Sequence, residues 1–195
     1  MTDPGLVFRL LDGRAAGERA DDFTGLHAEV YADPPYRRAD DGEVYPGRFR
    51  VQRRQPGFVL AEARHGGFLV GYAAGMPLRP STSWWRELTT ALPADVTEER
   101  QGRTFALVDL LVRASWRRQG IGAELHDLIL DGRPEERATL TVLPAASPAQ
   151  NAFRTWGWNR IARTRSEADP DAPVADVLVT ALPVTYSGAP PRRGR

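Results

Sequence analysis

The stretch TFALVDLLVRASWRRQGIGAELHDLIL, Thr104 to Leu130, decides how this chain folds. The apolar run from Phe105 to Val112 has the character of a buried strand. Arg117-Arg118-Gln119-Gly120-Ile121-Gly122-Ala123 then makes a glycine-spaced loop. Beyond it Ile121, Leu125, Leu128 and Ile129 recur at helical spacing, and Asp131-Gly132 puts glycine where a left-handed cap is expected. Strand, loop and helix in this order suit an anion. Glycine removes the Cβ that would hold a bulky group off the backbone. The first N–H groups of the helix lack intrahelical partners and lie at the positive end of its dipole. Phosphate or pyrophosphate is the expected ligand, against the blander alternative of a tight turn that binds nothing.

No Gly-Lys-Ser/Thr closes the loop, so it is not a Walker motif, and the three-glycine dinucleotide spacing is also absent. What stands is Arg-x-x-Gly-x-Gly after a strand ending Leu110-Leu111-Val112-Arg113. This pattern resembles the acetyl-CoA loop of the GNAT N-acetyltransferases. The resemblance implies that amides of Gln119, Gly120, Ile121, Gly122 and Ala123 hold the CoA pyrophosphate. It also implies that Leu110, Leu111 and Val112 pair with pantetheine. Arg113, Arg117 and Arg118 flank the loop as partners for the 3′-phosphate or pyrophosphate, or as solvated arginines. The family tends to end its fourth helix on an aromatic-Gly-aromatic step, and Trp156-Gly157-Trp158 fills that place.

Composition bounds the rest. The 195 residues, 42% hydrophobic and 26% charged, suit one soluble domain with an ample core. No apolar run approaches membrane-spanning length and no basic-then-apolar leader opens the chain, so the cytoplasm is the expected compartment. Cysteine is absent, which excludes disulfides, thiolate metal sites and a cysteine acyl-enzyme. All 26 basic residues are arginine, and against 25 acidic ones they leave a net charge of +1, giving no general field for nucleic acid. His27, His65 and His126 show no metal-ligand spacing, so no metal is expected.

Along the chain, Val7 to Leu11 reads as a first strand and Gly17 to Tyr31 as a helix ended by Asp33-Pro34-Pro35-Tyr36. A second helix is expected from Tyr45 to Gln55. A hairpin follows, Phe58 to Arg64 and Phe68 to Gly75, turning at His65-Gly66-Gly67. Pro77 to Gly102 is a polar insertion with one short helix. After the deciding stretch come a strand at Thr139 to Leu143 and a helix opening on a capping box, Ser147-Pro148-Ala149-Gln150. Strands at Trp158 to Arg163 and Val174 to Leu182 complete the order. Residues 1–186 are expected to form a single GNAT domain and 187–195 a flexible tail. The fold class is thus mixed α/β (α+β): the GNAT resemblance implies a central, mostly antiparallel sheet of about six to seven strands flanked by helices.

Acetyl transfer from acetyl-CoA to an amine must deprotonate the amine, stabilise an oxyanion and release a thiolate. Asp109 is the candidate base, because a carboxylate in an apolar strand is costly to bury unless it has a task or a partner. Strand alternation puts it on one face with Phe105, Leu107 and Leu111. Several GNAT enzymes use an acidic residue near this position. The competing reading pairs Asp109 with an arginine for structure. By resemblance, the N–H of Val112 or Leu111 is the oxyanion donor. Many members place a tyrosine near the CoA sulfur, four residues before the glycine of the helix-ending step; here that residue is Phe153. Three readings stay open: water protonates a leaving group whose pKa is about 8.5, Ser147 or another hydroxyl does so, or the chain binds CoA with little catalysis. Asn151 is a further candidate for pantetheine. The resemblance places acceptor recognition at Tyr31, Pro34-Pro35-Tyr36, Phe49, Trp84 and Trp85, an aromatic set suited to apolar or cationic amines, or else to packing. Without cysteine, direct transfer in a ternary complex is expected. The other functions in view are a CoA-binding module and an acetyltransferase for a protein N-terminus or aminoacyl-tRNA, and a homodimer fits the family's habits.

Overall fold

The computed structural model describes residues 5–37, 41–165 and 173–184. The expected C-terminal tail, 187–195, lies outside these residues. Seven strands form one sheet in the order β1-β2-β3-β4-β5-β7-β6. They are β1 (Leu6–Asp12), β2 (Val59–His65), β3 (Phe68–Pro77), β4 (Thr104–Val112), β5 (Arg137–Val142), β6 (Asn159–Thr164) and β7 (Ala175–Ala181). The helices are α1 (Gly13–Gly17), α2 (Ala20–Tyr31), α3 (Asp41–Gln52), α4 (Ala94–Thr97), α5 (Ile121–Leu130) and α6 (Ser147–Thr155). The β1–β2, β2–β3, β5–β7 and β6–β7 pairs are antiparallel, and β4 and β5 share a parallel ladder over Thr104–Ala106.

The chain divides into two compact units. The first takes its described residues from Met1–Met76 and Leu107–Asp131. Its core joins Phe23, Leu26 and Val30 of α2 to Tyr45 and Phe49 of α3, over Leu60, Leu69, Tyr72 and Leu111 of the strands. Burying each such large side chain contributes about 1.5–3 kcal/mol. The Phe23 ring meets Tyr72 edge-on at 5.4 Å, a favoured aromatic geometry. The amphipathic face expected of α5 is present: Ile121, Leu125 and Ile129 are buried, while Leu128 is half-buried. Gly71 is a point of close approach to Leu111 of β4, since a Cβ there would lie 2.8 Å from the Leu111 carbonyl oxygen.

The second unit takes its described residues from Pro77–Ala106 and Gly132–Pro190. Leu140, Val177, Leu178, Phe153 and Trp158 are buried in it. The glycine break after α6 is a full helix stop. Gly157 has φ 86°, its N–H donates to Arg154 O, and the Trp158 N–H reaches back to Phe153 O at 3.0 Å. These are the two bonds of a Schellman cap, which needs a residue at ease in the left-handed region.

Three local expectations change. The helix expected over Gly17–Tyr31 begins at Ala20, and Gly17 instead ends a separate short helix, α1, which Asp12 caps by accepting from Ala15 N at 2.8 Å. The helix expected from Tyr45 begins at Asp41 and carries Pro46 inside it, at the cost of a backbone donor near its N-terminal end. The capping box at Ser147 does not form. Ala146 is the N-cap and has no side-chain bond, while the Gln150 amide instead donates to Asp176 Oδ2 at 2.9 Å and to Leu143 O. A buried carboxylate outcompetes the helix end for that amide.

Candidate active site

The first unit carries the loop. After β4, Ala114–Trp116 form a 3-10 turn, and the chain then enters α5 through Gly120, which takes φ 84° at the N-cap. Arg118 also has positive φ, 64°. Left-handed residues among right-handed neighbours are the backbone pattern from which anion-binding nests of N–H groups are built. Among the described residues, no backbone or side-chain acceptor engages the N–H of Arg118, Gln119, Gly120, Ile121 or Gly122. The Ala123 N–H is used within the turn, donating to Gly120 O at 3.0 Å. Of the expected loop amides, those of Gln119 to Gly122 are therefore open and that of Ala123 is engaged.

The flanking arginines differ in their commitments. Arg113 is occupied: its Nε donates to Leu69 O, it forms an ion pair with Glu29, and its guanidinium lies over the Phe68 ring. The expectation of Arg113 as a phosphate partner gives way to this structural role. Arg117 donates to Val112 O at 3.0 Å through Nε, and its charge acts on Tyr36. No ion pair of Arg118 occurs among the described residues.

Asp109 sits on β4 with its side chain 1% exposed. Its Oδ2 accepts from the Tyr45 hydroxyl at 2.8 Å, and that hydroxyl lies 2.7 Å from the Tyr72 hydroxyl. Its Oδ1 is buried without a hydrogen-bond partner, and the nearest cation is Arg48 Nη2 at 3.9 Å, beyond hydrogen-bond reach. Burial pushes the Asp109 carboxyl above its usual range, against the opposing pull of the Arg48 charge and the Tyr45 hydrogen bond. An aspartate paired for structure would have a bonded guanidinium. This one has two phenols on one oxygen's side and an open second oxygen, which suits a base.

Beside it, His27 lies between Tyr31 and Tyr45, ring centroids 4.0 and 3.4 Å away, with neither ring nitrogen hydrogen-bonded. Burial, helped by the Arg48 charge, lowers its pKa to about 3. Tyr36 is tilted against Tyr31 at 5.3 Å. The structure thus brings Asp109, Tyr31, Tyr36 and the loop into one unit. Tyr45, Arg48 and Tyr72 were missed in the sequence. The available signals were Tyr72 as the one hydroxyl in the buried strand run and Arg48 one helical turn after Tyr45.

In the second unit, Trp85 and Trp84 are tied into the fold. Trp85 Nε1 donates to Glu99 Oε1 at 2.9 Å, and Arg137 lies over the Trp85 ring. Trp84 Nε1 donates to Thr139 Oγ1 at 3.3 Å. Phe153 is buried edge-on against Trp156 and Trp158, at 5.6 and 5.8 Å. Asn151 is exposed, and its carbonyl accepts from Thr155 Oγ1. No group of side chains among the described residues could hold a metal ion, and no described helix is long and apolar enough to cross a membrane.

The acetyltransferase (GNAT) family matches residues 18–158 of this chain. The chain belongs to that family and is an acyltransferase. Solved structures of the same fold include an acetyltransferase from Streptococcus agalactiae, 13% identical with TM-score 0.62, over 92% of this chain and 100% of that one. The PaiA N-acetyltransferase of Thermoplasma acidophilum, in complex with coenzyme A, is 11% identical with TM-score 0.57, over 90% of this chain and 98% of that one. Arabidopsis thaliana NAA60, in complex with a bisubstrate analogue, is 13% identical with TM-score 0.60, over 91% of this chain and 99% of that one. At these identities the likeness is one of fold. No curated protein sequence matches the chain.

Proposed function

We propose that this chain is an acetyl-CoA-dependent N-acetyltransferase that transfers acetyl directly to a primary amine. The reading rests on the unengaged N–H groups of Arg118 to Gly122 ahead of α5. A run of N–H groups with no protein acceptor at a helix N-terminus favours an anion over water through the helix dipole, and a diphosphate supplies several oxygens at once. The residues fit CoA at this point: Gly120 tolerates the left-handed turn, and Arg117 and Arg118 bring positive charge. The coenzyme A bound in the PaiA structure supports the same donor.

In the reaction, the acceptor ammonium gives one proton to Asp109. The freed nitrogen attacks the thioester carbonyl, and the Val112 or Leu111 N–H donates to the oxyanion. As the tetrahedral intermediate collapses, the C–S bond breaks and the remaining ammonium proton reaches the thiolate through water. Asp109 then returns its proton to solvent. A base so placed contributes about 10²- to 10⁴-fold in rate.

Calorimetric titration with acetyl-CoA on wild type and Gly122→Asp tests this reading. Aspartate in the first turn favours the helix through its dipole, so thermal stability holds, while its charge opposes a pyrophosphate. Acetyl-CoA affinity is expected to fall at least about tenfold, which is 1.4 kcal/mol. Equal affinity in the two proteins overturns the loop assignment.

A further inference from the structure

We propose that the cluster of Asp109, His27 and Arg48 in the first unit selects an acceptor carrying a carboxylate beside its amine, namely a free α-amino acid. This deepens the acetyltransferase reading and rests on it. Among the described residues the buried side-chain atoms without hydrogen-bond partners include both nitrogens of His27 and Asp109 Oδ1. All belong to residues touching Tyr45, which stacks on the one and donates to the other. The two others lie on Gln52 and Glu99. Buried polar groups are nearly always satisfied, so three such atoms on two residues that both touch Tyr45 point to a ligand. What they lack is specific. Asp109 Oδ1 has no donor, and a neutral imidazole always keeps one acceptor nitrogen. An ammonium supplies up to three donors.

Arg48 adds the opposite requirement. It lies over the Tyr45 ring at 4.9 Å, acts electrostatically on His27 and Asp109, and is 46% exposed. At 3.9 Å from Asp109 Oδ1 it forms no hydrogen bond there, so its forked donors remain available to an incoming anion. An α-amino acid carries an ammonium and a carboxylate one carbon apart, matching a carboxylate and a guanidinium this close together. A polyamine or aminoglycoside brings several positive charges up to Arg48 and is repelled. A peptide N-terminus has no carboxylate at that carbon.

The test compares the twenty common amino acids with their carboxamides and their decarboxylated amines. Thiol release measures transfer, and thermal shift measures binding without needing acetyl-CoA. At least one free amino acid is expected to be preferred over its carboxamide by about tenfold or more in kcat/KM in wild type. In Arg48→Gln that preference falls to within about twofold, and Arg48→Lys restores part of it. The ratio cancels any general loss of turnover in the variants. Carboxamides or plain amines used as well as the amino acids overturn the inference, as does a preference unchanged in Arg48→Gln. If acetyl-CoA binds but no amino acid shifts the melting or is acetylated, the inference fails and the acetyltransferase reading stands. If acetyl-CoA does not bind, that reading fails on its own measurement.

Discussion

The Tyr45 hydroxyl donates to Asp109 Oδ2 at 2.8 Å, while the other carboxylate oxygen is buried and has no partner. One carboxylate is therefore held in place through one oxygen and left without a donor at the other. Tyr45 comes from α3, Tyr72 from β3 and Asp109 from β4, so three elements fix a single acid.

Asp109→Asn separates the chemistry from the fold. Burial raises the Asp109 pKa above its usual 3.8. In the interval above 3.8 the folded protein keeps a proton that the unfolded chain has released. Stability tied to this group therefore declines as pH rises through that interval, and at neutral pH the buried charge is a cost. An asparagine keeps the shape and still accepts from Tyr45. Acetylation is expected to fall by about 10²- to 10⁴-fold, while the melting temperature at pH 7.5 holds or rises. A stable variant with full turnover from pH 6 to 9 removes Asp109 as the base.

His27 works in the opposite direction. Its pKa is lowered from 6.5 to about 3, so it stays neutral in the fold where the unfolded chain takes a proton. The unfolded state binds more protons between these values, and stability is lost as pH falls from 6.5 toward 3. His27→Phe keeps a ring between Tyr31 and Tyr45 and removes the titration. Melting curves at pH 7 and pH 4.5 should show a smaller drop in the variant than in wild type. Equal drops would mean that other groups carry the acid sensitivity.

The sheet was legible because its signals are local. Alternation in Phe105–Val112, the glycines of the loop and the apolar face of α5 each reflect backbone geometry that neighbouring residues determine. Asp109 stood out for the same reason, as a charge in an apolar strand. Its surroundings did not. Tyr45 and Tyr72 are far from it in sequence and meet it only through packing, and the burial that shifts its pKa has no local signature. The adjacent Trp84 and Trp85 looked like acceptor-site aromatics, yet Trp85 is claimed by Glu99, a partner 14 residues away. Side-chain competition also overrode the capping box at Ser147, where Asp176 drew off Gln150.

Glu99→Gln tests the structural assignment of Trp85. Glu99 Oε1 accepts from Trp85 Nε1, Thr104 Oγ1 and Arg137 Nη2 at 2.8 to 2.9 Å. Glutamine keeps the size but leaves Arg137 without its countercharge, and breaking a buried pair this way costs about 3–5 kcal/mol. Denaturant titration should report that loss. At a temperature where both proteins are folded, kcat/KM for the acceptor should agree within about twofold, below 0.5 kcal/mol. A large fall in kcat/KM with stability intact would return Trp85 to the acceptor site.

Phe153→Tyr asks what protonates the departing thiolate. Phe153 is 6% exposed and wedged edge-on against Trp156 and Trp158, so it holds α6 against the Schellman turn and carries no proton to give. A thiol of pKa about 8.5 leaves readily as its anion, and water suffices to protonate it afterwards. The added hydroxyl is then expected to leave kcat within about twofold of wild type. It should also lower stability by about 1–3 kcal/mol wherever the buried hydroxyl finds no partner. Steady-state kinetics from pH 7 to 9.5 separates the cases, because a limiting protonation weakens turnover as the solution becomes more basic. A tenfold rise in kcat in the variant, growing toward high pH, would mean that the missing phenol does limit this enzyme and that water is a poor substitute for it.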